Sequence, residues 1–299
     1  MELIQVKGNT WVADGVELIP FYKVDDHRCI LLDSGLVSER KALEEALAQA
    51  GLTPIGILCS HAHVDHCANN GYFQEKLGIP VALTAPEAGM CSGILNLKCY
   101  FLTLPPSIVE RESGCMVHTP DILIPPKDGP FSFCGVDFRL IHTPGHSAGH
   151  ICTITPDNVC YTADALLSYE LMEAKLPYNL SQRLAEGSRE KIRALDCDLF
   201  IMAHRGICAK ANLDELIDRN NALVRRRTYE ILELVTHPMT ASEIVQATCE
   251  RYQLFTRQPR RSLRFERNVR FFIEFLVDEG ELEMTCVRGN TYYQRPQKD

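Results

Sequence analysis

Residues 60–66 read Ser-His-Ala-His-Val-Asp-His and concentrate three imidazoles and one carboxylate in a chain with only 10 histidines among 299 residues. Histidine is the commonest protein ligand for transition metals, and aspartate adds a hard oxygen ligand. The segment follows an apolar run at residues 55–59 that is typical of a buried strand. Because residues two apart on an extended chain point the same way, His61 and His63 could bind one cation. Asp65 and His66 could then turn toward a second cation.

Three further side chains with metal-binding chemistry each close a short apolar run. They are His146, Asp164 and His204, which follow the runs at residues 138–141, 159–163 and 199–203, respectively. Before His146, a Pro-Gly pair predicts a turn that would project the imidazole away from the strand end. Four strand-like runs that lead into such side chains indicate a site at one edge of a sheet sandwich, built on the loops that follow the strands.

The chemistry of such a site can be inferred from the ligand types. Two cations a few ångströms apart could lower the pKa of a bridging water to near neutrality, which would give hydroxide at pH 7. The same cations could polarise a carbonyl or phosphoryl oxygen and stabilise the charge that develops on attack. A ligand set rich in histidine and without cysteine favours zinc, while iron or manganese also fits mixed imidazole and carboxylate ligands. We therefore expect two Zn²⁺ per chain, with iron and manganese as alternatives.

Taken together, these motifs resemble the metallo-β-lactamase superfamily, and within it the glyoxalase II-like hydrolases with a His-x-His-x-Asp-His motif. The resemblance covers about residues 1–210 and implies an α/β fold, the αββα metallo-β-lactamase sandwich. It also implies roles for seven residues. His61, His63 and His146 would bind the first metal, Asp65, His66 and His204 the second, and Asp164 both, with Asp65 and Asp164 as the catalytic carboxylates. Asp33 matches a further acidic position of the family, after an early strand.

Composition restricts the setting. Apolar residues make up 45% of the chain and charged residues 23%, which is typical of a soluble globular protein. The sequence has no run of eighteen apolar residues that would predict a membrane span, and its first residues do not resemble a signal peptide. The 13 cysteines include no Cys-x-x-Cys pair and are expected to be free thiols in a reducing cytoplasm. A β-lactamase that acts in the periplasm is therefore disfavoured.

The chain divides into two blocks of different character. Residues 1–210 alternate strand and helix patterns and form the predicted metal-hydrolase domain. Within it, residues 88–118 lack clear periodicity and could be either a lid that sets specificity or a peripheral helical hairpin. Residues 211–299 predict three helices followed by a hairpin around Gly289. That order predicts a smaller, helical, winged-helix-like domain.

A winged-helix-like domain raises the question of nucleic-acid binding. Residues 216–299 hold 14 basic and 12 acidic residues, whereas the preceding residues have a net charge of −10. Arg260, Arg264 and Arg267 share one face of the last predicted helix, which could contact phosphates. The acidic first block would repel a polyanion near the metals. We therefore favour packing of this face against the metal domain or a second subunit, which would include a homodimer, over nucleic-acid binding.

These observations favour a metal-dependent hydrolase that uses metal-bound hydroxide on a small ester-like substrate, either a thioester or a lactone. The alternative is a metal-dependent endoribonuclease or phosphodiesterase that binds nucleic acid through the winged-helix-like domain. A third interpretation, a regulator that reads DNA without hydrolysis, is disfavoured because no expected metal ligand is missing. Tyr169 and Tyr178 lie shortly after Asp164, and packing roles are favoured over substrate contact for both.

Overall fold

The computed structural model describes residues 1–101 and 104–297, and its first half is organised around a seven-stranded sheet. The strands occur in the sheet in chain order. They are β1 (Glu2–Lys7), β2 (Thr10–Asp14), β3 (Leu18–Lys23), β4 (Arg28–Leu31), β5 (Thr53–Leu58), β6 (Val81–Thr84) and β7 (Ile122–Ile124). Neighbours from β1 to β4 are antiparallel, and those from β4 to β7 are parallel. The start of β3 and the ends of β4 to β6 therefore lie at one edge.

A second sheet has six strands in the spatial order β13-β12-β11-β10-β9-β8. They are β8 (Gly129–Phe133), β9 (Val136–His142), β10 (Ile151–Ile154), β11 (Val159–Ala163), β12 (Leu199–Met202) and β13 (Gly206–Ala209). Side chains from both sheets, such as Ile30, Leu58, Tyr161 and Ile201, form one buried cluster between them. The two sheets therefore pack face to face.

Helices cover the outer faces of both sheets. The helices before the C-terminal region are α1 (Arg40–Gln49), α2 (Val64–Cys67), α3 (Asn70–Leu77), α4 (Ala85–Cys91), α5 (Ile94–Tyr100), α6 (Pro106–Ser113) and α7 (Gln182–Arg193). Helix α1 buries Leu43, Ala46 and Leu47, a spacing that places them on one face. That face packs on the first sheet, whereas Ile192 of α7 packs on the second. The predicted αββα sandwich is confirmed.

The segment without clear periodicity, residues 88–118, contains the end of α4 and all of α5 and α6; residues 102 and 103 lie outside the described residues. Leu97, Val109 and Met116 bury their side chains in the core under the first sheet. This burial explains the apolar content of the segment. Tyr100, at the end of α5, leaves that core and reaches the metal-competent side chains described below.

The C-terminal region contains α8 (Lys210–Leu234), α9 (Ala241–Arg251), α10 (Pro259–Asp278) and a three-stranded sheet. The strands are β14 (Met239–Thr240), β15 (Glu283–Val287) and β16 (Asn290–Gln294), with β16 in the centre. A capping box between Thr240 and Glu243 opens α9. No described helix is long and apolar enough to cross a membrane.

Helix α8 contributes to two hydrophobic clusters. Leu213 and Ile217 pack with the second sheet, whereas Val224 and Ile231 pack with α9 and α10. One continuous helix thus ties the C-terminal region to the sandwich. The predicted division into domains 1–210 and 211–299 falls at the start of this helix and stays a prediction.

Candidate metal centre

All seven predicted site residues meet at one edge of the sandwich. His61 and His63 follow β5, and the short helix α2 then carries Asp65 and His66. The others follow strands of the second sheet: His146 lies after β9, Asp164 after β11 and His204 after β12. Adjacent strands that end at the same edge bring these loops together.

The first group of side chains contains His61, His63, His146 and Asp164, and all four are at least largely buried. The Nδ1 atom of His63 lies 2.9 Å from Nε2 of His61 and 2.9 Å from Nε2 of His146. Tetrahedral ligands with bonds of 2.0–2.1 Å would be separated by about 3.3 Å. The nitrogens lie slightly closer together than this, and with the carboxylate of Asp164 they form a cluster that one cation could share.

The second group contains Asp65, His66 and His204, together with Glu17, which sequence reasoning missed. Nε2 of His66 lies 3.6 Å from Oε2 of Glu17 and 3.9 Å from Oδ2 of Asp65. Among the described residues, the buried Nε2 of His66 and Oε2 of Glu17 have no hydrogen-bond partner. Such orphaned polar atoms are rare in proteins, and a cation would satisfy them.

Asp164 spans the two groups. Its Oδ2 atom lies 3.2 Å from Nε2 of His146 in the first group and 3.3 Å from Nε2 of His204 in the second. Its Oδ1 atom lies 3.5 Å from Nε2 of His66. Burial favours the protonated carboxyl, but the imidazoles of His66, His146 and His204 outweigh it and hold the pKa of Asp164 well below its usual range. The carboxylate is therefore ionised and placed to contact two cations.

A second layer of hydrogen bonds fixes which ring nitrogen each histidine presents. Nδ1–H of His66 donates to Oδ2 of Asp33 (2.8 Å), which leaves Nε2 facing the second group. Nδ1–H of His61 donates to the hydroxyl of Ser60 (2.9 Å), and Ser60 Oγ donates to Asp33 (2.7 Å). The hydroxyl of Tyr161 donates to the same carboxylate (2.6 Å). Asp33 thus orients ligand candidates of both groups.

The family position of Asp33 was visible in the sequence, but the role of Glu87 was not. This buried carboxylate in α4 accepts from the backbone N–H of Ala62 (2.9 Å) and Gly149 (2.6 Å) and from Ser147 Oγ (2.7 Å). Glu87 therefore connects the loop after β5 to the loop after β9 through hydrogen bonds. Its partners are mostly backbone groups, which carry no sequence signal.

Burial affects the imidazoles of the first group. It lowers the pKa of His61 well below its usual range, and the neighbouring imidazoles of His66 and His63 lower it further. The pKa of His63 is lowered in the same way by burial and by His146. Neutral imidazoles with free lone pairs are the form that binds metal.

Glu17 reaches the second group because of strand direction. It lies between β2 and β3, and the N–H of the next residue, Leu18, donates to the carbonyl of Ala203 (2.8 Å) directly before His204. Since β3 runs antiparallel to β4, the start of β3 lies at the edge where β4 ends. A charged residue directly before an apolar strand was the available signal, although the sequence pattern alone places Glu17 within the strand itself.

The two groups lie at a cavity of about 420 Å³, a size suited to small ligands. Its other lining residues include Tyr100 from the 88–118 segment, Tyr178 from the region after Asp164, and Arg260, Arg264 and Arg267 from α10. In the tautomer that leaves Nδ1 of His63 free, its Nε2–H donates to the Tyr100 hydroxyl (2.7 Å). The ring of Tyr178 lies 5.1 Å from that of His146, so Tyr178 lines the site, whereas Tyr169 is exposed.

Comparison with known sequences agrees with this geometry. The family model described as Metallo-beta-lactamase superfamily matches residues 21–204, which is more than half of the chain. The chain belongs to this superfamily. Together with the clustered histidines and carboxylates, membership makes it a metal-dependent hydrolase.

Curated relatives are similar over the sandwich. A hydroxyacylglutathione hydrolase of Rhizobium meliloti (strain 1021) is 26% identical over 204 residues, 65% of this chain and 65% of the relative. A probable metallo-hydrolase, YqgX of Bacillus subtilis (strain 168), is 25% identical over 187 residues, 62% of this chain and 83% of that protein. The match thus spans about two thirds of the length of the Rhizobium relative.

Solved structures extend the likeness to nearly the whole chain. A metallo-beta-lactamase family protein from Thermus thermophilus, TTHA1429, aligns with a TM-score of 0.70 and 22% identity, over 99% of this chain and 98% of its own. A beta-lactamase domain protein from Burkholderia ambifaria aligns with a TM-score of 0.71 and 16% identity, over 99% and 95%. At these identities the likeness concerns the fold, including that of the C-terminal region.

Proposed function

We propose that the chain is a dinuclear metal hydrolase for small ester-like substrates, thioesters or lactones. His61, His63 and His146 would hold the first cation, Asp65, His66 and His204 the second, and Asp164 both. The observation that carries this proposal is the position of Asp164, whose two oxygens contact both groups at the cavity. Zinc suits the first group, which has three imidazoles and one carboxylate.

Two divalent cations bound by these residues would lower the pKa of a bound water and polarise the substrate carbonyl. The residues of the chain hold and orient this centre. Asp33 and Ser60 fix the tautomers of His66 and His61, which leaves Nε2 of each free to bind a cation. Asp164 and Asp65 bring negative charge, which would offset the repulsion between two bound cations. Tyr100 and Tyr178 close one side of the cavity and limit access of bulk water.

Water rather than a side chain is the proposed nucleophile. The hydroxyl of Ser60 is held by Asp33 and His61, and that of Ser147 is held by Glu87. Neither serine is paired with an unoccupied base of the kind that activates a nucleophile. We therefore expect no acyl-enzyme on either serine.

Support for a thioester comes from the relatives named hydroxyacylglutathione hydrolase. The test is hydrolysis of a panel of thioesters and lactones by purified protein of measured metal content, with and without chelation. A single turnover in H₂¹⁸O should place one labelled oxygen in the carboxylate product. Detection of an acylated protein by mass spectrometry would contradict the mechanism.

The second candidate is a metal-dependent endoribonuclease or phosphodiesterase, and the arginines at the cavity favour it. Pairing of β14 with β16, next to three helices, supports a winged-helix-like domain. Metal-dependent cleavage of a labelled oligoribonucleotide, lost in Asp164→Asn, would favour this candidate over the first. We propose cytoplasmic action because all 13 cysteines are free thiols.

A further inference from the structure

The cavity wall opposite the metal-competent groups is basic. Arg267 of α10 places its guanidinium carbon 4.8 Å from the ring centre of Tyr100 and 4.6 Å from that of Tyr178. These rings also contact the first group: Tyr178 lies 5.5 Å from His63 and 5.1 Å from His146, measured between ring centres. Arg267 is therefore separated from the metal-competent histidines by about one aromatic ring.

The charge of Arg267 has no anionic partner in the described part of the chain. Its Nε and Nη1 atoms are buried and form no hydrogen bond there, and neither Arg267 nor Arg264 forms an ion pair. By contrast, the neighbouring Arg260 pairs with Glu112 at 2.7 Å. Aromatic faces compensate part of the lost hydration of a guanidinium, but its N–H groups still need acceptors.

Arg264 lies one turn from Arg267 and adds a second unpaired charge. Burial lowers the pKa of Arg264, and the nearby Arg260 and Arg267 lower it further, which shows how closely the positive charges are grouped. Positive charges on successive turns of a helix repel each other unless an anion lies between them. The helix tolerates the cluster because its opposite face, with Val269, Phe272 and Leu276, is fully buried.

We propose that Arg264 and Arg267 form an anion-binding subsite, which receives a carboxylate or phosphate of the substrate while its scissile ester lies at the metal groups. This inference rests on the proposed function and narrows its substrate class to anionic esters and thioesters. The planar fork of a guanidinium binds carboxylate or phosphate through two parallel hydrogen bonds. The short path from Arg267 to His63 and the size of the cavity favour a compact substrate over a polyanion.

The test uses two matched substrate pairs with metal-loaded, full-length protein. S-Acetyl-3-mercaptopropionate is compared with its uncharged methyl ester, and acetyl-coenzyme A with uncharged S-acetylpantetheine. The first pair reports on a carboxylate and the second on phosphates. We consider each pair whose anionic member is preferred by the unmodified protein. In such a pair, Arg267→Ala should lower kcat/KM for the anionic member by about 10- to 100-fold and leave the neutral member within about twofold. Arg267→Lys, which keeps the charge but loses the fork, should restore activity partly.

Arg261→Ala is the matched control, since it removes the same charge from the same helix outside the cavity of the metal groups. It should not change selectivity. Equal kcat/KM for both members of each pair in the unmodified protein, or equal losses for both in Arg267→Ala, would overturn the subsite. Absence of metal-dependent hydrolysis for every ester would instead refute the proposed function. Cleavage of an oligoribonucleotide that needs Arg261, Arg264 and Arg267 alike would overturn the compact-anion inference.

Glu17 carries a second, independent inference. Only 6% of this residue is exposed, and its Oε2 lies 3.6 Å from Nε2 of His66. Its Oε1 lies 3.4 Å from Nδ1 of His204, the ring nitrogen on the side away from Asp164. No cationic side chain neutralises this carboxylate among the described residues apart from these imidazoles. A buried carboxylate of this kind requires either a proton or a cation.

We infer that Glu17 supplies an oxygen ligand to the second cation. The second group then has two carboxylates of its own and two imidazoles, and it shares the carboxylate of Asp164 with the first. Oxygen ligands suit manganese better than they suit zinc. The two sites of one centre would thus differ in the metal that they prefer.

Glu17→Gln should weaken retention of the second metal by at least about tenfold, read by elemental analysis after dialysis against a graded chelator. The first metal should be retained. In protein loaded with two Co²⁺, loss of an oxygen ligand should change the visible absorption of one ion, which a merely orienting carboxylate would not do. Asp14→Asn, at an exposed carboxylate of the same turn, is the control. Unchanged retention or an unchanged Co²⁺ spectrum would refute the assignment.

Discussion

The two walls of the cavity differ in origin and in charge. One wall is made by loops that follow strands of the sandwich, and it consists of imidazoles and carboxylates. The other is made by α5, α10 and the residues after Asp164, and its polar side chains are mainly tyrosines and arginines. The first wall is fixed by hydrogen bonds through Asp33 and Glu87, whereas Arg264 and Arg267 on the second have no anionic partner in the described residues.

This difference separates reaction chemistry from substrate selection. A metal wall common to a superfamily can support many hydrolyses, so its geometry alone does not define a substrate. The arginines of the opposite wall come from α10, which lies outside the residues that the family model matches. We therefore expect changes in the first wall to abolish turnover of every substrate and changes in the second to alter which substrates are turned over.

The largest effect is expected for Asp164→Asn. This change keeps the shape of the side chain but removes the negative charge that contacts both groups. Metal content should fall, and kcat/KM should drop by more than about 100-fold for neutral and anionic esters alike. Elemental analysis and steady-state kinetics provide the measurement. His142→Ala, in the same neighbourhood but outside both groups, is the control. An Asp164→Asn protein that keeps two metals and full activity would contradict the role assigned to Asp164.

A smaller loss is expected for Asp33→Asn. The amide offers one acceptor where the carboxylate now accepts from Ser60, His66 and Tyr161. Metal affinity should fall by about 10- to 100-fold, as is usual when the partner of a metal-binding histidine is lost. Selectivity between anionic and neutral esters should stay the same. Asp25→Asn, at an exposed carboxylate, should change neither metal affinity nor selectivity. A shift in selectivity in Asp33→Asn would contradict the division of roles between the two walls.

Metal uptake should tighten as the pH rises from 6.5 to 8. In the metal-free protein, burial and the charge of Asp65 raise the pKa of Glu17 to about 8. Burial lowers the pKa of His204, but Asp164 outweighs it and raises the value to about 9. A cation must displace these protons, so affinity should rise by up to about tenfold per pH unit for each proton released. Competition with a chelator at several pH values measures this slope.

The same two groups predict the opposite trend for the stability of the metal-free protein. Their folded-state pKa values are raised, so in this range the folded state holds more protons than the unfolded state. The stability they contribute is complete below their unfolded pKa values and is lost as the pH rises through about 8 to 9. Thermal unfolding of metal-free protein should therefore occur at lower temperature at pH 8 than at pH 6.5. A flat profile would show that neither group is protonated.

The metal wall could be predicted from sequence because strand-end positions are visible in it. Apolar runs mark the strands, so the residues that follow each run are expected near the end of a strand. The buried face of α10 was equally visible, since Val269, Phe272, Ile273 and Leu276 repeat with helical spacing. Local patterns of this kind need no knowledge of tertiary contacts.

What could not be predicted depends on how distant segments dock. Glu17 enters the site because β3 runs antiparallel to β4 and contacts Ala203. Tyr100 enters because α5 packs under the first sheet and ends beside His63. We expected the α10 arginines to pair across an interface, and Arg260 does pair with Glu112, whereas Arg267 faces the cavity. The helical period predicts that all three arginines share one face of α10, but it does not predict what that face contacts.

The smallest effect is expected for Glu112→Gln, which tests the second wall without altering an arginine. The change removes the partner of Arg260, a pair between α10 and α6 that is only partly buried. Stability should fall by about 0.2–1 kcal/mol, because such pairs contribute little. The freed charge makes the wall more positive, so kcat/KM should rise modestly for the anionic esters and stay constant for the neutral ones. Glu110→Gln, on the same helix, is the control. If the anionic esters instead lose activity, Arg260 positions the wall through its pair with Glu112, and the charge of the wall alone does not select the substrate.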